Sequence, residues 1–574
     1  MAPRRAASSV PEGYKEDISK GKMLRFEDSL PQLPVPTLEE TSRRYLKSVH
    51  AVVSEAEYAR TKSAVEAFIR PGGQGESLQK RLEARAADPK IKNWLAEWWN
   101  QAAYLGYRDP VIPYVSYFYS YRDDRERRDP AKRAAAITTA ALEFKAQVDD
   151  GSLEPEYLRK EPQAMSSYQY MFNCCRIPAD GEDFPPKYPA GENQHIVVVR
   201  KNQFFKVPLV VDGQQLNVSE LEQQFARIYE IAQPAPPVGV LTVADRDHWT
   251  AARKTLVAAD AANELALQDI ESAGFVICLD DAKPVTLAER AEQYWHGDGS
   301  NRWFDKPLQF IINDNGSSIR SQLADPKPIN FKLNDASNEA IDIAAQYHRK
   351  QIASHELVVQ AYQGYGKGLI KKFKCSPDAF VQMTIQLAYF KMYGKNRPTY
   401  ESASTRKYAE GRTETTRTVS DESVAFCKAH QDHTTPREEV VKLFRAALAQ
   451  HTKYTQEASS GHGVDRHLFG LKKLLQPGEQ LPEIYQDPAF AYSSSWYLST
   501  SQLSSEFFNG YGWSQVIDDG FGIAYMINEN SLNFNIVCKR LGAERMSHYL
   551  NEAASELRDL LMPDLAAQPE KPKL

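Results

Sequence analysis

The sequence predicts an α/β protein built in layers, and three observations carry that expectation. Runs of strand length such as Ile196-Val197-Val198-Val199 and Phe310-Ile311-Ile312 alternate with long segments of helical periodicity. The chain has 574 residues, long enough for two large hydrophobic cores. Its pattern also changes character after "PINFKLND" (328–335), which places a domain boundary near 335.

Taken in order, residues 1–25 read as a flexible N-terminal segment. The proline-rich "LPQLPVP" (30–36) then leads as a rigid, extended entry into an amphipathic helix starting near Thr37. "NQHIVVVRKNQFFKVPLVV" (193–211) is strand-turn-strand by its β-branched content, and 217–232 returns to helix. In "NRWFDKPLQFII", Arg302, Trp303, Asp305 and Lys306 crowd a strand apolar enough to be buried, and Asn313-Asp314-Asn315-Gly316 turns the chain after it. Such a strand usually presents something at its far end.

Residues 336–365 read as one long helix. "SPDAFVQMTIQLAYFKMYG" (376–394) is another, with Ser376 as N-cap, Pro377 at N1, Asp378 complementing the dipole and Gly394 ending it. Phe380, Met383, Leu387 and Lys391 mark a mostly apolar, core-facing stripe along it. The last helix, 544–562, gathers Met546, Tyr549, Leu550, Ala553, Leu557, Leu560 and Leu561 on one packing face, and 563–574 forms a tail.

Bulk composition narrows the function classes. The chain is 42% hydrophobic and 25% charged with net charge −5, which gives no global attraction to nucleic acid or to anionic membranes. No apolar run reaches the length of a transmembrane span, so the expectation is a soluble protein. Cys174, Cys175, Cys278, Cys375, Cys427 and Cys538 form no CxxC pair or framework, which fits buried free thiols. The same spacing argues against zinc, and no HExxH, Walker loop or strand-linked GxGxxG is present, so no metal is expected. Arg4 and Arg5 ahead of the first acid resemble a mitochondrial presequence, and the closing "PKL" is one residue from the S-K-L peroxisomal type. Both ends also read as plain disordered termini.

Four stretches are more polar than packing requires. In "YGKGLIKKFKCSPD" (365–378), Lys367, Lys371, Lys372 and Lys374 precede a helix N-terminus, suiting either a phosphate-rich ligand or a solvated basic face. "TYESASTRKYAEGRTETTR" (399–417) is crowded with hydroxyls. In "GVDRHLFGLKKL" (463–474), Arg466 could pair with its neighbour Asp465 or hold a ligand carboxylate bidentately. "SSSWYLSTSQL" (493–503) ends a strand in Ser499-Thr500-Ser501-Gln502, hydroxyls that decorate an edge or face a developing oxyanion.

Together, "LPQLPVPTLEETSRRYL", "RWFDKPLQFII", "YGKGLIKK…SPDAF", "TYESA…GRTE", "DRHLFGLK", "STSQ" and "DDGFG" fall in the order found in the choline/carnitine acyltransferase family. The resemblance runs from about residue 26 to 562, and "SSYQYMFNCCRIP" is similar to its carnitine acetyltransferase branch. It implies two similarly folded domains of the CoA-dependent acyltransferase type, 26–335 and 336–562, with the active-site tunnel between them and the CoA and carnitine sites in the second.

By matching motifs, Lys367 and Lys371 would neutralise CoA phosphate, with Lys374 and Ser376 in the same stretch and Asp378 and Gln502 on the pantetheine side. Tyr400, Ser402, Thr413, Arg466 and Ser499 would hold carnitine, and Ser501 would donate to the tetrahedral oxyanion. Choline carries no carboxylate, and choline acetyltransferases replace the threonine and arginine with neutral residues. Thr413 and Arg466 are both present, so the site reads carnitine. Ungapped register places Tyr511 where acetyl-preferring relatives carry a bulky blocker of the acyl pocket. A slip of one residue would put Gly510 or Gly512 there and reverse that reading. Trp513 is either a cation–π partner of the trimethylammonium or a packing residue. The resemblance implies no permanently bound cofactor, CoA or acetyl-CoA as co-substrate, a monomer, and a peroxisomal or mitochondrial location.

One motif is missing. The family continues from the strand after "RWFDK" to a glycine, six further residues and an acid-histidine pair whose histidine is the general base. Here six residues beyond Gly316 is Gln322, and Leu323-Ala324 stand in place of the pair. None of the 12 histidines has the H-x-x-x-D/E-G context, and His296 in "YWHGDGSNRW" matches a second, structural histidine of the family. Two explanations follow: a CoA- and carnitine-binding pseudoenzyme or splice form, or an active acetyltransferase whose sequence lacks one skipped exon. The intact ligand motifs favour the second.

Overall fold

The computed structural model describes residues 10–313, 326–503 and 505–566. They pack into two compact units. Unit 1 comprises Met1–Pro31, Trp99–Ser116 and Arg122–Ala353, and unit 2 comprises Gln32–Trp98, Tyr117–Tyr121 and Ser354–Leu574. This division differs from a single cut near 335, because the stretch after the proline-rich entry packs with the C-terminal unit.

Unit 2 takes the first labelled elements of the chain. Thr37 caps helix α1 (Leu38–His50), as its sequence position predicts, by accepting from the Glu40 backbone. Strand β1 (Phe118–Tyr121) follows in the same unit.

Unit 1 opens with α2 (Pro130–Asp149) and the hairpin β2 (His195–Arg200) and β3 (Gln203–Pro208). It continues with α3 (Val218–Ile231), β4 (Val276–Asp280), β5 (Gln309–Asn313), β6 (Lys327–Ile329) and α4 (Asp335–Ala353). Its sheet order is β6-β3-β2-β4-β5, antiparallel at the first two junctions and parallel at the last two. β2 and β4 are buried along their whole length, which explains their uninterrupted apolar runs. The turn Asn313-Asp314-Asn315-Gly316 and the junction carrying Gln322, Leu323 and Ala324 lie outside the described residues beyond Asn313.

The charged approach to β5 is structural. Arg302 donates to both carboxylate oxygens of Asp280 (2.7 and 2.6 Å). Asp305 accepts from Arg246 (2.8 Å) and the Trp249 indole (2.7 Å). Lys306 donates to the Glu271 and Ala273 carbonyls (3.0 and 2.6 Å). All of these side chains are buried, so the "RWFDK" charges fix the entry to the strand from inside the core.

The remainder of unit 2 contains β7 (Glu356–Tyr362), α5 (Lys367–Lys372), α6 (Pro377–Tyr393), β8 (Thr399–Ser404), β9 (Thr413–Arg417), α7 (Asp421–Gln431) and α8 (Arg437–Ser459). It ends with α9 (Asp465–Lys473), β10 (Leu498–Gln502), β11 (Phe508–Gly512), β12 (Phe521–Ile527), β13 (Leu532–Cys538) and α10 (Ala543–Ala566). The six-stranded order β7-β13-β12-β10-β8-β9 is antiparallel, antiparallel, parallel, parallel, then antiparallel. Its first four junctions repeat the succession seen in unit 1, so the two sheets are built alike.

Two helical expectations need correction. The segment 336–365 is not one helix: α4 ends at Ala353, and "ELVVQAY" forms edge strand β7 against β13. Its adjacent valines suit a pleated, half-buried edge better than a helix. Helix α6 has no single apolar stripe, since every residue from Ala379 to Tyr389 is buried. It packs against α10 and α8 as well as the sheet, while Lys391 at its end pairs with Glu556 (2.6 Å) and Glu552 (3.1 Å).

Candidate functional site in the C-terminal unit

Strand register assembles the candidate site. β8 runs parallel to β10 with Tyr400 beside Ser499 and Glu401 beside Thr500. β8 pairs antiparallel with β9, setting Ser402 opposite Thr415 and Ser404 opposite Thr413. Side chains alternate between faces. Tyr400, Ser402, Thr413, Thr415, Ser499 and Ser501 therefore share one face of three adjacent strands, and Glu401 and Thr500 take the other. The sequence-predicted hydroxyl residues are brought together by pairing alone. The Ser402 hydroxyl donates to the Tyr400 phenol oxygen (3.2 Å).

Arg466 reaches this face from α9. Its Nε donates to the Thr413 carbonyl (3.0 Å), its Nη1 to the Thr415 hydroxyl (3.3 Å) and its backbone N–H to Glu414 (3.4 Å). The side chain is buried. It does not pair with Asp465, whose carboxylate is held bidentately by Arg417 (2.9 and 2.8 Å). Burial pushes Glu414 up to about 7 against the opposing pull of Arg466, so near neutral pH that acid is only partly ionised. A Cβ at Gly463 would lie 2.2 Å from the Glu414 side chain, so only glycine lets α9 approach this closely.

Tyr511 on β11 faces Ser501. Burial raises the phenol to about 12, against a smaller lowering from the nearby Ser501 hydroxyl. The Tyr511 ring stacks on Tyr119 of β1 (centroids 5.2 Å apart, 7° between planes) and meets Trp513 edge-on at 5.1 Å. Gly512 and Gly510 have no room for a side chain: a Cβ would stand 2.2 Å from the Asn535 amide and 2.9 Å from the Ser120 Cβ. The phenol thus takes the Ser501 side because the two glycines are required where they stand.

The lysine stretch is exposed. Lys367 opens α5 and stands 3.7 Å from Glu529, while Lys371 and Lys374 face solvent. Lys374 adopts a left-handed backbone (φ 59°), turning the chain into the Ser376 cap of α6. Gln502 is exposed at the end of β10.

Asp378 does more than complement a dipole. Its carboxylate accepts from the Tyr525 hydroxyl (2.8 Å) and lies 3.7 Å from His451 Nε2, which is 3.1 Å from Glu401. Tyr525 also faces Glu401 at 3.1 Å and accepts from Gln382, which donates in turn to Thr500, whose hydroxyl donates to the Tyr400 carbonyl. Burial lowers His451, but the two carboxylates together overcome it and raise the imidazole to about 9. Desolvation and Asp378 raise Glu401, whereas burial of Asp378 is outweighed only by His451, Tyr525 and Glu401 together, which lower it. Ligand atoms of Asp378, Glu401 and His451 lie within 4.8 Å of one another, a spacing open to a cation. The imidazolium already supplies positive charge there. Glu401 and His451 were missed from sequence, although both are polar residues on core-facing positions of β8 and α8.

Other histidines are engaged in packing. His467 lies between Thr41 (2.7 Å) and Gln79 (2.8 Å), with burial pushing it down to about 3. His355 faces Gln515 at 2.9 Å, and His296 hydrogen-bonds the Gly297 carbonyl beside the Trp295 ring.

Comparison with known proteins places this arrangement. The family model described as choline/carnitine O-acyltransferase matches residues 33–320 and 317–553. The chain belongs to that family. It is 37% identical to "Carnitine O-acetyltransferase, mitochondrial" of Saccharomyces cerevisiae, over 93% of this chain and 88% of that one. Human carnitine O-acetyltransferase is 34% identical over 93% of this chain and 94% of its own. Human choline O-acetyltransferase is 30% identical over 95% of this chain and 81% of its own.

Proposed function

We propose that the chain is built to transfer a short acyl group reversibly between CoA and carnitine. The observation that carries this reading is Arg466 held against the hydroxyl-lined face of β8, β9 and β10, where it suits the carboxylate that carnitine has and choline lacks. In that reading Tyr400, Ser402, Thr413, Arg466 and Ser499 hold carnitine. Lys367, Lys371, Lys374, Ser376, Asp378 and Gln502 serve CoA, which is a co-substrate rather than a resident cofactor.

The carnitine hydroxyl oxygen attacks the thioester carbonyl carbon and gives its proton to a base. The resulting oxyanion accepts a hydrogen bond from Ser501, and its collapse breaks the C–S bond and returns the proton to the CoA thiolate. Tyr511, beside Ser501 and stacked on Tyr119, limits the acyl group to short chains.

The base is the weak link. The two stretches of the family match meet at 317–320. The alignment to the S. cerevisiae protein spans 596 positions while drawing on 93% of this chain, so part of that relative has no counterpart here. Both facts support a missing segment after Gly316, leaving a chain that binds both substrates with impaired turnover. The acyltransferase acts as a monomer. A mitochondrial location is supported by the yeast relative's name.

Titrating carnitine and choline separately into the full chain by calorimetry tests the substrate reading without needing turnover. Carnitine is expected to bind at least ~10-fold more tightly, the ratio equivalent to one net hydrogen bond to a charged group. Equal affinities would overturn it.

A further inference from the structure

The strongest unassigned feature is a solvent-open cleft walled by α1, the 418–420 turn between β9 and α7, and the C-terminal half of α8. We propose that this cleft binds a small phosphate-bearing anion.

The charge around it is one-sided. Arg43, Arg44, Lys47, Arg417 and Lys453 line the cleft against the single acid Glu457, in a chain whose net charge is −5. Three of these cations are already engaged: Arg44 with Glu457 (3.2 Å), Lys47 with Glu422 (2.9 Å) and Arg417 with Asp465 (2.8 Å). Arg43 and Lys453 are exposed and have no acidic partner among the described residues, one on each wall of the opening.

The interior makes this more than a solvated basic face. Tyr454 lines the cleft, and its buried hydroxyl has no hydrogen-bond partner among the described residues. His451 also lines the cleft; its Nδ1 is buried with no hydrogen-bond partner among the described residues, and its Nε2 has only the ion-pair approach to Glu401 and Asp378. Buried polar groups are normally satisfied, and leaving one unmet is costly. Two unmet polar atoms on lining residues, beside a rim of cations, match a ligand rich in acceptor oxygens. Phosphate oxygens fit both halves, accepting from the phenol inside and pairing with Arg43 and Lys453 at the mouth.

The site is distinct from the lysine stretch assigned to CoA, and the inference does not rest on the acyl-transfer reading. The phosphate could be free or part of CoA, and the experiment separates these sources. Pyrophosphate, inorganic phosphate and CoA are titrated into the full chain at matched ionic strength. Three variants are compared: Arg43→Glu/Lys453→Glu, Tyr454→Phe and Lys367→Ala/Lys371→Ala. Circular dichroism and melting temperature confirm that each is folded.

Saturable pyrophosphate binding is expected, at least ~10-fold weaker in the charge-reversed pair and weaker in Tyr454→Phe. It should be unchanged in Lys367→Ala/Lys371→Ala. Absence of saturable binding, binding indifferent to the charge reversal, or binding lost with the two lysines would each overturn the proposal. If CoA titrations respond to the charge reversal as pyrophosphate does, the phosphate is CoA's own. If they do not, it is a separate ligand.

Discussion

Nε2 of His451 stands 3.1 Å from Glu401 and 3.7 Å from Asp378, a buried imidazole clamped between two carboxylates at the centre of the C-terminal unit. Those acids overcome its burial and raise it from 6.5 to about 9. A raised histidine stabilises the fold fully below its unfolded value, and the contribution disappears as pH rises through the folded value. Melting temperature should therefore fall between about pH 6.5 and 9, by at most ~3 kcal/mol of stability. His451→Gln should flatten that slope. An unchanged pH profile in the variant would remove His451 as its source.

Arg466→Ala should weaken carnitine binding by about 1.5–3 kcal/mol, the range for a hydrogen bond to a charged group. CoA affinity should hardly change. Calorimetry with both ligands decides, and equal losses would sink the assignment of Arg466 to the carboxylate.

Lys367 and Lys371 make a separate test possible because both can be altered without disturbing the core. If they meet CoA phosphates, CoA affinity should fall as salt rises, and removing either charge should make that dependence shallower. A double alanine variant with the parent's affinity and salt response would leave the stretch as a solvated face.

Tyr511→Gly should open the acyl pocket. The phenol ring is held by the Tyr119 stack and the edge contact with Trp513, so its loss removes a rigid wall rather than a mobile side chain. In a chain with restored turnover, relative kcat/KM for medium-chain over acetyl thioesters should rise at least ~10-fold, about 1.4 kcal/mol in transition-state binding. No change in that ratio would place the length limit elsewhere.

What was legible in the sequence followed from local chemistry. Thr37 and Ser376 announced helix starts and Gly394 a helix end, because capping is settled within a few residues. Motif order located the hydroxyl face, although only strand register could bring Thr413 beside Arg466. The Asp378–Glu401–His451 cluster was not legible, since its members come from three elements and touch only after the sheet and helices pack. The register at Tyr511 stayed open for a similar reason. Gly510 and Gly512 are demanded by Ser120 and Asn535, residues distant in sequence. β7 was misread because a half-buried edge strand leaves little alternation to detect.

The central claim is that this chain keeps its substrate groups and lacks its base. The most direct measurement is acetyl transfer from acetyl-CoA to carnitine by three proteins. These are the chain as it stands, a version with a family-like histidine segment after Gly316, and that version with alanine at the base position. A positioned general base contributes ~10²–10⁴-fold. The account predicts that the parent is at least ~100-fold slower than the histidine version, with the alanine version folded and comparably slow. A parent that already matches the restored rate, or an alanine version as fast as the histidine one, would contradict it.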